Sequence, residues 1–172
     1  VTTPSGLYRY FINDLVQVSA FVRRMPLLRF VQKGKGVTNI TGEKLYEAQV
    51  LEAASRTMQA CGRSARFVMM LADEAQQADR LYVEADPGPR PPAAALAQAV
   101  DAQLQLLNIE YRAKRESKRL APLEAHWLKS GSDEAYKRDC VARGQREGQF
   151  KTTAIAYAAQ FAFDIAACVD RT

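Results

Sequence analysis

The sequence predicts an α+β protein: a small mixed or antiparallel sheet with helices packed on it, preceded by β-hairpin strands. Three observations carry this. Aromatic and β-branched residues crowd the first 40 positions, short apolar runs at 65–72 and 80–85 are bounded by turn residues, and apolar residues recur at helical spacing in the stretches around them. From residue 37 onward the order reads β-α-β-β-α-β-α. Such a split βαβ arrangement puts helices on one face of a small sheet.

The elements follow in order. LYRYF (7–11) and DLVQVSAFV (14–22) read as strands separated by Ile12 and Asn13, and LLRFVQ (27–32) as a third after the turn residues 23–26. KGKG (33–36) has two glycines in four residues and leads into VTNI (37–40). Backbone this permissive predicts a hinge over 33–41. Thr41 is expected to cap a helix beginning near Glu43, with Leu51, Ala54, Met58 and Cys61 on one face and Gly62 as its stop. ARFVMMLA (65–72) reads as a buried strand, and RLYVEA (80–85) alternates apolar with polar residues. The proline-rich DPGPRPP (86–92) precedes a long helix carrying Leu96, Val100, Leu104 and Leu107. A strand around 121–128 and a helix over 132–143 follow, the helix with Asp133 and Glu134 in its first turn and Gly144 after it. A final helix over 154–169 would place Ala158, Phe161, Ile165 and Cys168 on one side.

Composition narrows the function. With 172 residues, 48% apolar and 25% charged, the chain is globular rather than disordered, one domain or one domain plus a piece of another. No apolar run approaches the ~18 residues of a membrane span, and no leader opens the chain, so a soluble cytoplasmic protein without membrane contact is expected. The three cysteines lack CxxC spacing and there is one histidine, which argues against a zinc site or a disulfide framework. Cys61, Cys140 and Cys168 are then expected to be small buried hydrophobes. Alternation in LAPLEAHWL (120–128) puts Leu123, Ala125 and Trp127 on one face and His126 on the other beside Glu124, a poor basis for histidine-centred catalysis. The net charge of +5 and pI near 9.2 favour anionic partners: nucleotides, phosphates, RNA or an acidic protein. The basic run YRAKRESKR (111–119) reads either as a solvated helix face, with Glu110 before it and Glu116 inside it as local counter-charges, or as the anion-binding stretch of an RNA-binding module.

Two stretches point to a family. GLYRYFINDLVQV (6–18) is followed by PLLRFVQKGKGVTNITGEKLYEAQV (26–50), and APLEAHWLKSG (121–131) by ARGQREGQFKTT (142–153). Together they resemble the carboxyl-terminal part of the plant auxin-responsive acyl acid–amido synthetases and their bacterial relatives, members of the adenylate-forming, firefly-luciferase-like superfamily. The plant pattern reads GLYRYRLGDVV and QYK where this chain has GLYRYFINDLV and QFK, and NIEYRAKR (108–115) is similar to a third family stretch.

The resemblance implies a two-step ligase. ATP and a carboxylic acid give an acyl-adenylate and pyrophosphate; an amino acid amine then forms the amide and releases AMP. It implies that 1–32 are the last strands of a large amino-terminal domain absent from this sequence, 33–41 the hinge and 42–172 the cap domain. That absent domain would be the cap's partner, would hold the acyl pocket and most of the ATP and Mg site, and would leave this piece inactive alone. Asp14 matches the aspartate that accepts both ribose hydroxyls, with Asn13 where a glycine is usual. Lys151 matches the late lysine that the cap carries to the carboxylate and α-phosphate, and Lys44 another lysine near the nucleotide. Apart from the resemblance, the glycines of KGKG (33–36) could let the backbone and Lys33 cradle phosphate, although the hinge is the stronger reading of that stretch. A thioester-forming relative would share the first half-reaction. The competing classes are a stand-alone RNA-binding module, which would need base-stacking aromatics on its strands, and a structural dimerisation domain.

Overall fold

The computed structural model describes residues 2–6, 8, 9, 14–33 and 36–171, which fall into two units, Val1–Lys35 and Gly36–Thr172. In the first unit β1 (Asp14–Val22) pairs antiparallel with β2 (Met25–Lys33). The turn between them takes a positive φ of 55° at Arg23, the twist that matches a tight hairpin. Apolar side chains along both strands remain solvent-facing: Val16, Val18, Phe21, Met25, Leu27 and Leu28 are 45–67% exposed. Of the strand predicted at 7–11, Tyr8 and Arg9 are described and neither is in a strand; Arg9 has a φ of 49°, which interrupts extended backbone. The rest of that stretch, and Asn13, lie outside the described residues.

The second unit opens with a two-residue pair, β3 (Val37–Thr38) against β4 (Leu45–Tyr46), and then α1 (Glu47–Ala60). Helix α1 therefore starts four residues later than expected. The Glu43 carboxylate does not serve a first turn; it closes the preceding loop by accepting from the Ile40 and Thr41 N–H groups and the Thr41 hydroxyl at 2.7–2.9 Å. The Tyr46 N–H is instead covered by the Gln49 side chain at 3.1 Å.

β5 (Ala65–Asp73) and β6 (Ala78–Ala85) form the antiparallel centre of a four-stranded sheet. β7 (Glu124–Trp127) adds parallel to β6, and β8 (Ile155–Tyr157) parallel to β5, giving the order β7-β6-β5-β8. The mixed α+β class predicted from the sequence is the one found. Along the chain, α2 (Ala93–Leu107) and α3 (Ile109–Glu116) lie between β6 and β7, and α4 (Ser132–Ala142) between β7 and β8.

The continuous apolar run of β5 dictates the layering. Val68 and Met70 point to one face, where α1 supplies Val50, Ala54 and Met58 and α2 supplies Leu96, Val100 and Leu104. Phe67, Met69 and Leu71 point to the other, where Leu128 and Ile165 bury them together with Tyr136 and Phe161. The expectation of helices on one face is thus corrected: a strand apolar on both faces must be covered on both. The helix expected over 154–169 is also absent. Ile155–Tyr157 is a sheet strand, followed by 3-10 turns at Ala158–Gln160 and Ile165–Cys168. Ala158, Phe161, Ile165 and Cys168 do share one side, against the second core, without being helical. Of the cysteines, Cys61 is exposed at the end of α1 and the other two are half-buried, so none is the fully buried hydrophobe expected.

Candidate functional site

In the first unit the register of the hairpin sets Asp14 directly across from Lys33, at the end opposite the turn. Asp14 and Lys33 thus share one strand end. Gly34 and Lys35 of the KGKG stretch lie outside the described residues.

In the second unit Lys44 is exposed in the loop entering β4, and no hydrogen bond or ion pair engages its side chain among the described residues. Its backbone is fixed by Asn108, whose side-chain amide donates to the Lys44 carbonyl at 2.8 Å and to Gln49 Oε1 at 3.0 Å. Asn108 also caps α3 by accepting from the Tyr111 N–H at 3.0 Å. Three residues on, the buried Tyr111 hydroxyl donates to Asp101 at 2.8 Å, and Arg115 forms an ion pair with the same carboxylate at 2.8 Å. Burial, then the Asp101 charge, holds the Tyr111 hydroxyl well above its usual range. The NIEYRAKR stretch is therefore scaffolding: one asparagine orients the Lys44 loop, and the tyrosine and arginine lock α3 onto α2.

Lys151 is exposed and likewise makes no side-chain bond among the described residues. Its arm is anchored on both sides. Phe150, just before it, packs edge-on against Tyr136 of α4 at 6.0 Å, and Tyr136 in turn contacts Phe67, Phe161 and Phe163, each at 5.5 Å. Three residues after Lys151, the Ala154 N–H donates to the Glu47 carboxylate at 2.5 Å and the Ala154 carbonyl accepts from Met70 of β5 at 2.8 Å. Glu47 was not singled out from the sequence. Its signal was an acid at the true first turn of α1, hidden because Glu43 offered an earlier start.

Helix α4, which carries Tyr136, is capped from the sheet. The buried Glu84 accepts from the Gly131 and Asp133 N–H groups at 2.8 and 2.9 Å. A separate cavity of about 490 Å³ is lined by Arg90, His126, Trp127 and Asp170 among others, and by none of the four predicted site residues. There the Arg90 guanidinium lies 5.5 Å from the Trp127 ring and pairs with Asp170 at 2.5 Å. His126 stacks on Tyr82 at 5.1 Å, and burial lowers its pKa. As the alternation predicted, Leu123, Ala125 and Trp127 are buried on the opposite face. Among the described residues no three His, Cys, Asp or Glu side chains gather as a metal site. No described helix is long and apolar enough to cross a membrane.

The molecule is thus of the mixed α+β class, with a β-hairpin ahead of a helix-covered sheet that presents a lysine on a pinned arm. The family model of the GH3 family C-terminal domain matches residues 48–159, and that of the GH3 family central domain matches residues 1–33. The chain belongs to the GH3 family. It is 28% identical over 168 residues to the probable indole-3-acetic acid-amido synthetase GH3.2 of Oryza sativa subsp. japonica, a match covering 88% of this chain and 27% of that protein. It is 26% identical over 161 residues to the indole-3-acetic acid-amido synthetase GH3.3 of Arabidopsis thaliana, with the same coverage of 88% and 27%. The chain therefore spans about a quarter of the length of the curated relatives it matches. Among solved structures, a GH3.15 acyl acid amido synthetase superposes with a TM-score of 0.69 at 24% identity, covering 98% of this chain and 33% of that one. AtGH3.15 in complex with 2,4-DB gives 0.66 at 24% identity, covering 98% and 32%. These two share the fold.

Proposed function

We propose that this chain is the carboxyl-terminal part of an ATP-dependent acyl acid–amido synthetase. The observation that carries the reading is Lys151: an unpaired, exposed lysine on an arm pinned at Phe150 and Ala154, within a GH3 C-terminal domain. In the first half-reaction the carboxylate oxygen of the acid attacks the α-phosphorus of ATP, and the bond to pyrophosphate breaks. Lys151 offsets negative charge where the carboxylate meets the phosphate, a task suited to a compact ammonium. In the second, an amino acid amine attacks the acyl carbon, loses a proton, and AMP leaves.

Asp14 accepts the ribose hydroxyls of ATP and AMP, a carboxylate being able to take two O–H donors at once. Lys33, across the strand pair from it, and Lys44 add positive charge toward the phosphates. The Mg²⁺ that the resemblance implies would be held mostly by the preceding domain.

The solvent-facing apolar residues of the hairpin support a preceding domain as its partner, since contiguous exposed apolar surface marks an interaction site. The division at Lys35 and Gly36 supports a hinge there. Three free cysteines suit a reducing cytoplasm. The RNA-binding alternative loses its platform, because Phe67 of β5 is buried beneath Tyr136 and cannot stack a base. ATP–pyrophosphate exchange by the complete protein across a panel of carboxylic acids tests the proposal. Exchange dependent on one class of acid is expected; none with any acid, in a folded protein that binds ATP, would refute it.

A further inference from the structure

We infer that Glu47 is a positioning residue that fixes the Lys151 arm to the segment by which the chain enters the second unit. The inference rests on Lys151 acting at the α-phosphate. Glu47 makes two hydrogen bonds and one close approach. Its N–H donates to the Gly36 carbonyl at 2.9 Å, its Oε1 accepts from the Ala154 N–H at 2.5 Å, and its Oε2 faces Gly36 so closely that a Cβ there would come within 3.1 Å. Gly36 has a φ of +77°, so glycine is required twice over, for its backbone and for the room that the carboxylate takes.

The helix itself does not need this carboxylate for its cap, because Gln49 covers the Tyr46 N–H. What Glu47 adds is the second hold on Ala154, whose carbonyl is already bound to Met70. Between the Phe150 anchor and Ala154 lie only Lys151, Thr152 and Thr153. Three extended residues span roughly 10 Å, so fixing both ends sets the volume that the Lys151 ammonium can sample. A charge-assisted bond is short and strong, which suits a hold that must persist while the arm is solvent-exposed. Tyr157, in β8 just beyond, adds to the same bracket: its hydroxyl oxygen accepts from the Asn39 N–H at 3.0 Å, tying β8 to the loop after β3.

The test has two arms. In the 172-residue chain, hydrogen exchange of Glu47→Ala should rise about tenfold at the Ala154 amide, the scale for losing one charge-assisted hydrogen bond, with β5 and β6 amides unchanged and Glu47→Gln close to the parent. Unchanged exchange at Ala154 would overturn the inference. In the complete protein, Glu47→Ala should lower kcat for ATP–pyrophosphate exchange about 10- to 100-fold, the cost of a misplaced group, with KM for ATP within about twofold and substantial rescue by Glu47→Gln. Adding Lys151→Ala should then cost nothing beyond Lys151→Ala alone; additive losses would overturn the positioning role. Full exchange activity in Lys151→Ala would remove the role assigned to Lys151 and the positioning role with it, while the Ala154 amide would still report whether the bracket exists.

Discussion

Asp79 opens the buried side of β6 with neither carboxylate oxygen hydrogen-bonded among the described residues. Burial pushes its pKa up to about 7, helped by Glu43 and Asp101 and opposed by Arg115. The sign follows directly. The folded state holds this proton between the unfolded value of 3.8 and about 7, so the stabilisation is complete below pH 3.8 and is lost as pH rises toward 7. Asp79→Asn should flatten that dependence and make the chain more stable than the parent at pH 8, by up to about 4 kcal/mol at ~1.4 kcal/mol per unit. Urea unfolding at pH 5 and 8 measures it; equal parent stability at both would refute the assignment. Glu84, also buried, differs from Asp79 in that both of its carboxyl oxygens accept hydrogen bonds, from the Gly131 and Asp133 N–H groups. Glu84→Ala leaves the Gly131 and Asp133 N–H groups without an acceptor and should cost about 2–3 kcal/mol. A loss under about 0.5 kcal/mol in urea unfolding would show that water replaces it.

At the scale of elements, most of the second unit was legible, because its strands and long helices carry their own periodicity. β5, β6, α2 and α4 fall within a few residues of where apolar spacing put them. The failures are places where a tertiary partner outweighs a local signal. Thr41 and Glu43 look like a helix start, yet the β3–β4 pair consumes the next residues and Glu43 closes a loop. The terminal segment has helical spacing at Ala158, Phe161, Ile165 and Cys168, yet Ile155–Tyr157 is drawn onto the edge of β5 and the aromatics converge on Tyr136. Of the proposed site, Lys44 and Lys151 were read from motif resemblance; Glu47 was not, because its bond to Ala154 joins residues 107 positions apart. A consequence concerns Gly36. At φ +77° and with Glu47 3.1 Å from its missing Cβ, it is a poor site for a neutral hinge probe. Gly36→Ala should destabilise the chain by about 1–2 kcal/mol, read by urea unfolding, and an unchanged midpoint would contradict the described backbone.

At the scale of the whole molecule, the second unit is a sheet covered on both faces, with Lys44 and Lys151 exposed on its loops and without side-chain bonds among the described residues. The exposed apolar hairpin is, in the proposed function, the surface that meets a preceding domain. The 172 residues alone are accordingly expected to bind AMP weakly and to turn nothing over. In the complete protein, Asp14→Ala should weaken AMP binding by about 1–3 kcal/mol, the range for hydrogen bonds to a charged group, as read by calorimetry; unchanged affinity would refute the ribose role. The most direct test of the account is Lys151→Ala in the complete protein, with the two half-reactions measured separately. Adenylate formation, followed by ATP–pyrophosphate exchange, should fall by roughly two to three orders of magnitude, the scale for one positioned electrostatic group, while amide formation from supplied acyl-adenylate stays within a few-fold of the parent. An equal fall in both steps, or no fall in either, would contradict it.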